Sequence, residues 1–247
     1  MASSGAASRP TLFARLVKIE HSVYALPFAY AGAFLAACGW PTWSQILWIT
    51  VAMVGARSAA MALNRLIDAG LDARNPRTAE RELPSGRLGR REVWAFTVVS
   101  VALLVVAAFN LSAPCRYLWP IPLAAFVLYP YTKRFTWFCH YFLGLTLGLA
   151  PAAAWIAVTG SVAPEAWLLF FAVGLWVGGF DVLYACFDLE FDRAQGLHSL
   201  PVSIGEHGAV IAAAASHVLT IVLLAAVGAL AGLDWVYWAG LVAVSGL

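Results

Sequence analysis

Apolar segments long enough to cross a membrane make up most of this chain and limit the folds that it can adopt. One of them begins near residue 235, and the others occupy about residues 21–39, 44–64, 92–111, 118–132, 136–158, 165–185 and 207–231. An α-helix of about 20 apolar residues crosses a bilayer, and only helices or closed barrels satisfy their backbone polar groups there. With 62% hydrophobic and 11% charged residues, the composition excludes an ordinary soluble domain. The sequence therefore predicts an all-α, polytopic membrane helix bundle with about eight transmembrane helices.

Two of the apolar segments are short. The segment at 118–132 contains Pro120, Pro122 and Pro130, so we expect it to be kinked or shallow in the membrane. The last segment ends with the sequence itself at Leu247. It is either a half-length helix or the beginning of a longer helix in a fragmentary sequence, and we expect the second.

The positive charges alternate between loops and predict the orientation of the helices. Lys and Arg are concentrated at 9–18, 65–91 and 133–134, whereas the loops near 40–44 and 159–165 have none. Cytoplasmic loops carry such an excess of Lys and Arg. We therefore expect an integral protein of the cytoplasmic (inner) membrane, with a cytoplasmic N-terminal lead at 1–18 followed by one transmembrane domain at 19–247.

Two polar stretches at the ends of apolar segments contain acidic residues spaced by four, which places them on one face of a helix. The first stretch contains Asn64, Asp68 and Asp72, and the second contains Tyr184, Asp188 and Asp192. Two carboxylates roughly 5 Å apart repel each other by about 3 kcal/mol at an effective dielectric near 20. Mg²⁺ removes that repulsion, and it typically binds one or two carboxylates together with substrate phosphates. The alternative is that these carboxylates are solvated charges at helix ends.

The two stretches also indicate an internal repeat. Positions 64, 68 and 72 recur 120 residues later, and each stretch follows two apolar segments. This order favours two pseudo-repeats of four helices each. Both stretches then lie on the cytoplasmic side of the membrane, because they flank basic loops.

Arg57 and Asp181 are ionisable residues inside apolar segments. A charge at the centre of a bilayer costs about 2.5–3.5 kcal/mol on insertion scales, so such residues usually have a function. Arg57 lies seven residues before Asn64, and Asp181 lies seven residues before Asp188. Either both residues contribute to substrate binding, or they form an ion pair with each other, which does not exclude binding.

The basic pair Lys133 and Arg134 follows Tyr129 at the end of the fourth segment. The pair is either a simple topology signal or a contact for a phosphate group. The five histidines and four cysteines lack the spacing of metal ligands, and the chain has no P-loop or dinucleotide-binding pattern. Nothing in the sequence indicates that the protein binds a nucleic acid or needs an obligate protein partner.

Taken together, four patterns resemble the UbiA superfamily of intramembrane prenyltransferases. They are Asn64-x3-Asp68-x3-Asp72, Arg77-Thr78-Ala79-x-Arg81, Tyr129-x3-Lys133 and Asp188-x3-Asp192. The resemblance covers nearly the whole chain and implies an all-α bundle, usually of nine spans. It also implies transfer of a prenyl group from an allylic polyprenyl diphosphate to an aromatic acceptor in the presence of Mg²⁺.

The resemblance implies a role for each matching residue. Two Mg²⁺ ions that bridge the diphosphate would be held by Asn64, Asp68, Asp72, Asp188 and Asp192. The cationic partners of the diphosphate would be Lys133, Arg74 and Arg81. Arg57 would face the carboxylate of the acceptor, and Tyr129 and Tyr184 would lie nearest the reacting centre.

Further motifs resemble the quinone-pathway branch of the superfamily, which prenylates para-hydroxybenzoate. They include Lys18-Ile19-Glu20-His21 and Ala25-Leu26-Pro27-Phe28. Arg81-Glu82-Leu83-Pro84 departs from the usual Arg-Pro-Leu-Pro and resembles enzymes that prenylate a dihydroxynaphthoate for menaquinone. Both acceptors are hydroxylated aromatic carboxylic acids. A haem or chlorophyll type of acceptor stays open within the superfamily, and a membrane transporter is the alternative from another class.

Overall fold

The protein is a bundle of helices. The computed structural model describes residues 8–246, apart from the side chains of residues 19–24. In chain order the helices are α1 (Arg9–Leu16), α2 (Ile19–Ala36), α3 (Trp43–Asp72), α4 (Arg90–Phe109), α5 (Cys115–Leu118), α6 (Pro120–Thr132), α7 (Cys139–Thr159), α8 (Pro164–Cys186), α9 (Leu189–Ala194), α10 (Leu200–Leu230) and α11 (Trp235–Ser245). No strand occurs in this described part, so the predicted all-α class is confirmed.

Each predicted apolar segment corresponds to a helix. Five helices, α3, α4, α7, α8 and α10, are long and apolar enough to cross a membrane. Helix α6 has only 13 residues, which corresponds to about 20 Å against a hydrocarbon core of about 30 Å. This helix is therefore shorter than the hydrocarbon core is thick, which agrees with the shallow segment that we expect from the sequence.

The outer surface of the bundle is apolar where lipid would contact it. On α4, the side chains of Trp94, Val98 and Leu103 are exposed. Such a surface is unfavourable in water but matches the hydrocarbon of a bilayer. The structure thus agrees with a polytopic integral membrane protein.

Helix α1 belongs to the same core as the longer helices. Leu12 and Leu16 are buried against Ala62 and Leu66 of α3 and against Val93 of α4. The residue-18 boundary that we placed between an N-terminal lead and the transmembrane domain is therefore crossed by a continuous core. Residues 1–7 of that lead lie outside the described residues.

Glycines bring α7 and α8 into close contact. A Cβ atom on Gly144 would lie 2.0 Å from the carbonyl oxygen of Gly174, and one on Gly148 would lie 2.2 Å from that of Phe170. Larger residues at these positions would push the helices apart, so the small residues Gly144 and Gly148 fix the separation of α7 and α8. Helix α8 also packs against α10, and α3 packs against α4.

The helices that contain the two acidic stretches end differently. Helix α3 continues without interruption to Asp72. Helix α8 ends at Cys186, and Asp188 is the N-cap residue of the short helix α9. Only the first stretch is a single helix face, because the second stretch is broken between Tyr184 and Asp188.

Candidate active site

A cavity of about 860 Å³ extends through the bundle from the ends of α3 and α8. We call the part lined by charged side chains its polar end, and these side chains are Lys18, Arg57, Arg65, Asp68, Asp72, Arg77, Arg81, Lys133, Asp181, Asp188 and Asp192. The remainder, the apolar end, is lined by residues such as Leu104, Trp119, Leu147 and Phe170. One cavity therefore combines a charged compartment with a long apolar one.

Asp68 is held by the basic pair at the end of α6. This carboxylate is 3% exposed and lies one turn before the end of α3. Its Oδ2 accepts a hydrogen bond of 2.6 Å from Lys133 Nζ, and its Oδ1 lies 3.4 Å from a guanidinium nitrogen of Arg134. The carbonyl oxygen of Lys133 accepts a hydrogen bond of 2.7 Å from His198 N. Lys133 is therefore a fixed part of the polar end rather than only a topology signal.

Asp72 is paired with an arginine of the loop that follows α3. Both oxygens of Asp72 accept hydrogen bonds from one nitrogen of Arg81, at 2.8 and 2.9 Å. Arg65, one of the most buried charged residues, lies 3.8 Å from the same carboxylate. The loop is folded back on the helix end by Thr78, whose hydroxyl donates to the carbonyl oxygen of Asp72 at 2.9 Å.

Asp188 joins the second acidic stretch to the same loop. Arg77 Nε donates to Asp188 Oδ1 at 3.0 Å, and a second guanidinium nitrogen pairs with Oδ2. Asn75 Nδ2 donates to Oδ1 at 3.3 Å. The loop after α3 thus connects the ends of α3 and α8 around one cavity.

Asp192 lies on α9 and also lines the polar end. Burial raises the pKa of its carboxyl, and the charge of Asp188 raises it further. Among the basic residues, partial burial lowers the pKa of Lys18, and the positive charges of Arg65 and Arg81 lower it further. Charges of both signs are therefore crowded into a poorly solvated space.

Arg57 and Asp181 do not form the ion pair that we had considered. Asp181 Oδ2 lies 2.7 Å from His140 Nδ1. Arg57 Nε is buried and has no hydrogen-bond partner among the described side chains. Arg57 and the neighbouring Asn64 both line the cavity. The guanidinium of Arg57 is therefore available to a ligand in the cavity.

The remaining site residues of the sequence analysis divide into two groups. Tyr129 and Tyr184 line the cavity, and Tyr184 is 64% exposed. Arg74 is exposed and is absent from the cavity wall, and its Nε donates to the carbonyl oxygen of Gly70 at 3.2 Å. The structure therefore brings together every predicted site residue except Arg74.

Sequence reasoning gave no site role to several residues that line the cavity, which are Lys18, Arg65, Asn75, Arg77 and His140. Arg65 and Arg77 had a visible signal, because they lie in the arginine-rich segment 65–91. His140 had none, since its partner Asp181 is 41 residues away in the chain.

The donor set at the polar end fits a hard divalent cation such as Mg²⁺. Its oxygen atoms come from the amide of Asn64 and from four carboxylates, which are the ligand types that Mg²⁺ prefers. Within the described residues, no three acidic, His or Cys side chains approach closely enough to form a metal site on their own. Mg²⁺ commonly completes its coordination with substrate phosphates and water, so this arrangement suits an ion that binds together with a diphosphate.

Comparison with known proteins agrees with the resemblance found in the sequence. Residues 25–247 match the model of the UbiA prenyltransferase family. A 4-hydroxybenzoate octaprenyltransferase of Cupriavidus necator is 34% identical in an alignment that covers 96% of this chain and 84% of that protein. One of Aliivibrio fischeri is 30% identical over 213 residues, or 86% of this chain and 74% of that protein.

Solved structures show the same architecture. The apo structure of a UbiA homologue from Aeropyrum pernix superimposes with a TM-score of 0.85 at 36% identity, covering 91% of this chain and 84% of that one. A UbiA homologue from Archaeoglobus fulgidus, bound to DMAPP and Mg²⁺, gives a TM-score of 0.72 at 19% identity, covering 88% and 78%. The second likeness concerns the fold alone. From the family match and these relatives, the chain belongs to the UbiA prenyltransferase family.

Proposed function

We propose that this prenyltransferase moves a polyprenyl group from an allylic polyprenyl diphosphate to a ring carbon of a hydroxylated aromatic acid. The observation that supports this most strongly is the division of one cavity into a charged end and an apolar end. A polyprenyl diphosphate has the same division, since a charged headgroup is joined to a long hydrocarbon. The relatives named 4-hydroxybenzoate octaprenyltransferase support both the type of donor and the type of acceptor.

The polar end binds the diphosphate. Lys133, Arg81 and Arg77 each contact a carboxylate at the end of α3 or α8. Guanidinium and ammonium groups donate charge-assisted hydrogen bonds to phosphate oxygens, and arginine does so in a bidentate manner. Such donors stabilise the negative charge that grows on the diphosphate as it leaves.

The side chains of the polar end do not supply the net positive charge that is needed to bind a diphosphate. Six cationic side chains and five carboxylates line the polar end, so their charges nearly cancel. We infer that two Mg²⁺ ions bind with the diphosphate at Asn64, Asp68, Asp72, Asp188 and Asp192. When bound, Mg²⁺ acts as a Lewis acid that stabilises the departing diphosphate.

Arg57 recognises the carboxylate of the acceptor. Its Nε is buried without a partner among the described side chains, and a buried guanidinium gains a large favourable interaction when a carboxylate pairs with it. Tyr129 and Tyr184 also line the cavity. Their rings can stabilise an allylic carbon with cationic character.

The apolar end holds the polyprenyl chain and excludes water from the reacting carbon. Its wall is formed by α3, α4, α6, α7 and α8, with side chains such as Met53, Leu104, Phe126 and Leu147. Because the cavity continues past the charged residues, a long chain can extend along the bundle.

The preferred acceptor is 4-hydroxybenzoate. Glu82, the residue that departs from the usual Arg-Pro-Leu-Pro, is buried, lies 3.6 Å from Arg87, and does not line the cavity. The departure therefore affects the loop rather than a contact with the acceptor. Dihydroxynaphthoate is the second candidate, because the sequence of that loop resembles enzymes that use it.

We place the polar end on the cytoplasmic side of the inner membrane, following the distribution of Lys and Arg.

Product formation tests this proposal. Membranes containing the protein are incubated with Mg²⁺, a polyprenyl diphosphate and either 4-hydroxybenzoate or dihydroxynaphthoate. We expect a prenylated acid from one acceptor, and its formation should cease when EDTA removes the metal. Absence of product from both acceptors, with the protein inserted and folded, would contradict the proposed function.

A further inference from the structure

The buried His140 and the partly exposed Asp181 form a side-chain pair in the wall of the cavity, outside the ion pairs of the acidic stretches. His140 belongs to the first turn of α7 and is 6% exposed, and Asp181 projects from α8. Their side chains meet at 2.7 Å, between His140 Nδ1 and Asp181 Oδ2. Both residues line the cavity.

The contact defines which nitrogen of His140 holds a proton. Asp181 accepts, so Nδ1 donates, and the other nitrogen of a neutral imidazole is then an acceptor. His140 Nε2 is buried and has no partner among the described side chains. In a neutral ring with its proton on Nδ1, the lone pair of Nε2 is free to accept a hydrogen bond from a ligand in the cavity.

The reaction needs such a group. Prenylation of a ring carbon replaces a C–H bond by a C–C bond, so one proton must leave the acceptor. Asp68, Asp72 and Asp188 already pair with cations. His140, in contrast, lines the cavity and its Nε2 has no partner among the described side chains, and Asp181 can stabilise a transient imidazolium.

We propose that His140, positioned by Asp181, binds the ring hydroxyl of the acceptor and takes its proton. This inference rests on the proposed function. The allylic C–O bond breaks with its electron pair on the diphosphate, the ring electrons form the new C–C bond, and the hydroxyl proton moves to Nε2, giving a dienone. The proton on the substituted carbon then leaves to the released diphosphate while His140 returns its proton to the ring oxygen. One proton is released, and the phenol and the neutral histidine are restored.

His140→Gln tests the step directly. Glutamine keeps a donor for Asp181 but cannot take up a proton, so we expect kcat with 4-hydroxybenzoate to fall by about 100-fold or more, as for other general bases. The KM for the polyprenyl diphosphate should not change, because the pair lies outside the diphosphate contacts. Asp181→Asn should also lower kcat.

An acceptor with a more acidic hydroxyl separates proton transfer from a structural role. With 3-fluoro-4-hydroxybenzoate, whose other ortho carbon is free, less help is needed to remove the proton. The ratio of wild-type to His140→Gln kcat should therefore be at least about 3-fold smaller than with 4-hydroxybenzoate. An equal ratio for both acceptors would overturn the proposal, because damage to packing does not depend on the acidity of the acceptor.

Tyr141→Phe is the matched control. Tyr141 follows His140 on α7 and its hydroxyl lies 2.8 Å from Ser216 Oγ, but it does not line the cavity. This variant should keep wild-type kcat with both acceptors. Unchanged turnover by His140→Gln, with an active wild type, overturns the inference alone. An inactive wild type overturns the proposed function and this inference with it.

Discussion

The two acidic stretches share one spacing in sequence but lie in different structural settings. Asp68 and Asp72 lie on one unbroken helix, and their side chains are 4% and 10% exposed. Asp188 follows the end of α8 at a helix break, and its side chain is 19% exposed. The first stretch is a fixed face, whereas the second is held mainly by the loop that follows α3.

The difference shows how a duplicated motif can form one asymmetric site. Asp68 contacts Lys133, the C-cap residue of α6, which lies between the two stretches in the chain. Asp188 contacts Asn75 and Arg77, which belong to the loop directly after the first stretch. The second stretch is therefore positioned by the loop that follows the first stretch. The contacts of Asp68 described here do not involve the second stretch.

The largest expected effect comes from neutralising one carboxylate of each stretch. Asp68→Asn and Asp188→Asn should each lower Mg²⁺-dependent turnover by about 100- to 1000-fold, because each removes charge that balances the diphosphate complex. Product formation in membranes measures this. Glu190→Gln is the control, since Glu190 is exposed and lies outside the cavity wall. Near-normal turnover in either aspartate variant would contradict the assignment of both stretches to one site.

Arg57 tests whether the acceptor lies apart from both stretches. Arg57→Met should raise the KM for 4-hydroxybenzoate by about 30-fold, which corresponds to about 2 kcal/mol for a lost buried charge pair. The KM for the diphosphate should change by less than about 3-fold, since Arg57 has no contact with either stretch. An equal rise in both constants would place Arg57 at the diphosphate instead.

A smaller effect is expected from the arginines of the connecting loop. Arg81 is 26% exposed and contacts both oxygens of Asp72, whereas Arg77 is 56% exposed. Arg81→Met should raise the KM for the diphosphate by about 10-fold and Arg77→Met by about 3-fold, because solvent weakens exposed charge interactions. The reverse order would mean that the second stretch, not the first, provides the more rigid half of the site.

The smallest effect is expected at Arg74. Its side chain is directed at the carbonyl oxygen of Gly70 and is exposed, so Arg74→Ala should change kcat/KM by no more than about 2-fold. Steady-state kinetics measure this ratio beside Arg81→Met. A loss of 10-fold or more would restore Arg74 to the diphosphate site that the family resemblance assigned to it.

The fold class could be predicted from the sequence because the hydropathy of each segment is a local property of the chain. Each apolar segment of the prediction is a helix, since a backbone in a bilayer must satisfy its own polar groups. The helix break between Tyr184 and Asp188 was not predictable from spacing, because a period of four residues does not show where a helix ends. The packing of α1 on α3 and α4 was not predictable either, because nothing in this basic segment shows what Leu12 and Leu16 contact.

The site residues were predictable where a motif marks them and not where the fold pairs distant residues. The acidic stretches, Lys133 and Arg57 line one cavity as a group. The contacts of Asp188 with Asn75 and of Asp181 with His140 span 113 and 41 residues. Such pairs depend on how the helices pack, which no local pattern records.

One binding measurement tests the central claim that both stretches act on the same diphosphate. The affinity of a non-reactive polyprenyl thiodiphosphate is measured with and without Mg²⁺ for the wild type, Asp68→Asn, Asp188→Asn and the double variant. Residues that serve one ligand give strongly non-additive effects. We predict that each single variant loses the Mg²⁺-dependent gain in affinity and that the double variant is hardly worse. Additive losses, with half of the Mg²⁺-dependent gain retained in each single variant, would show two independent sites and contradict the account.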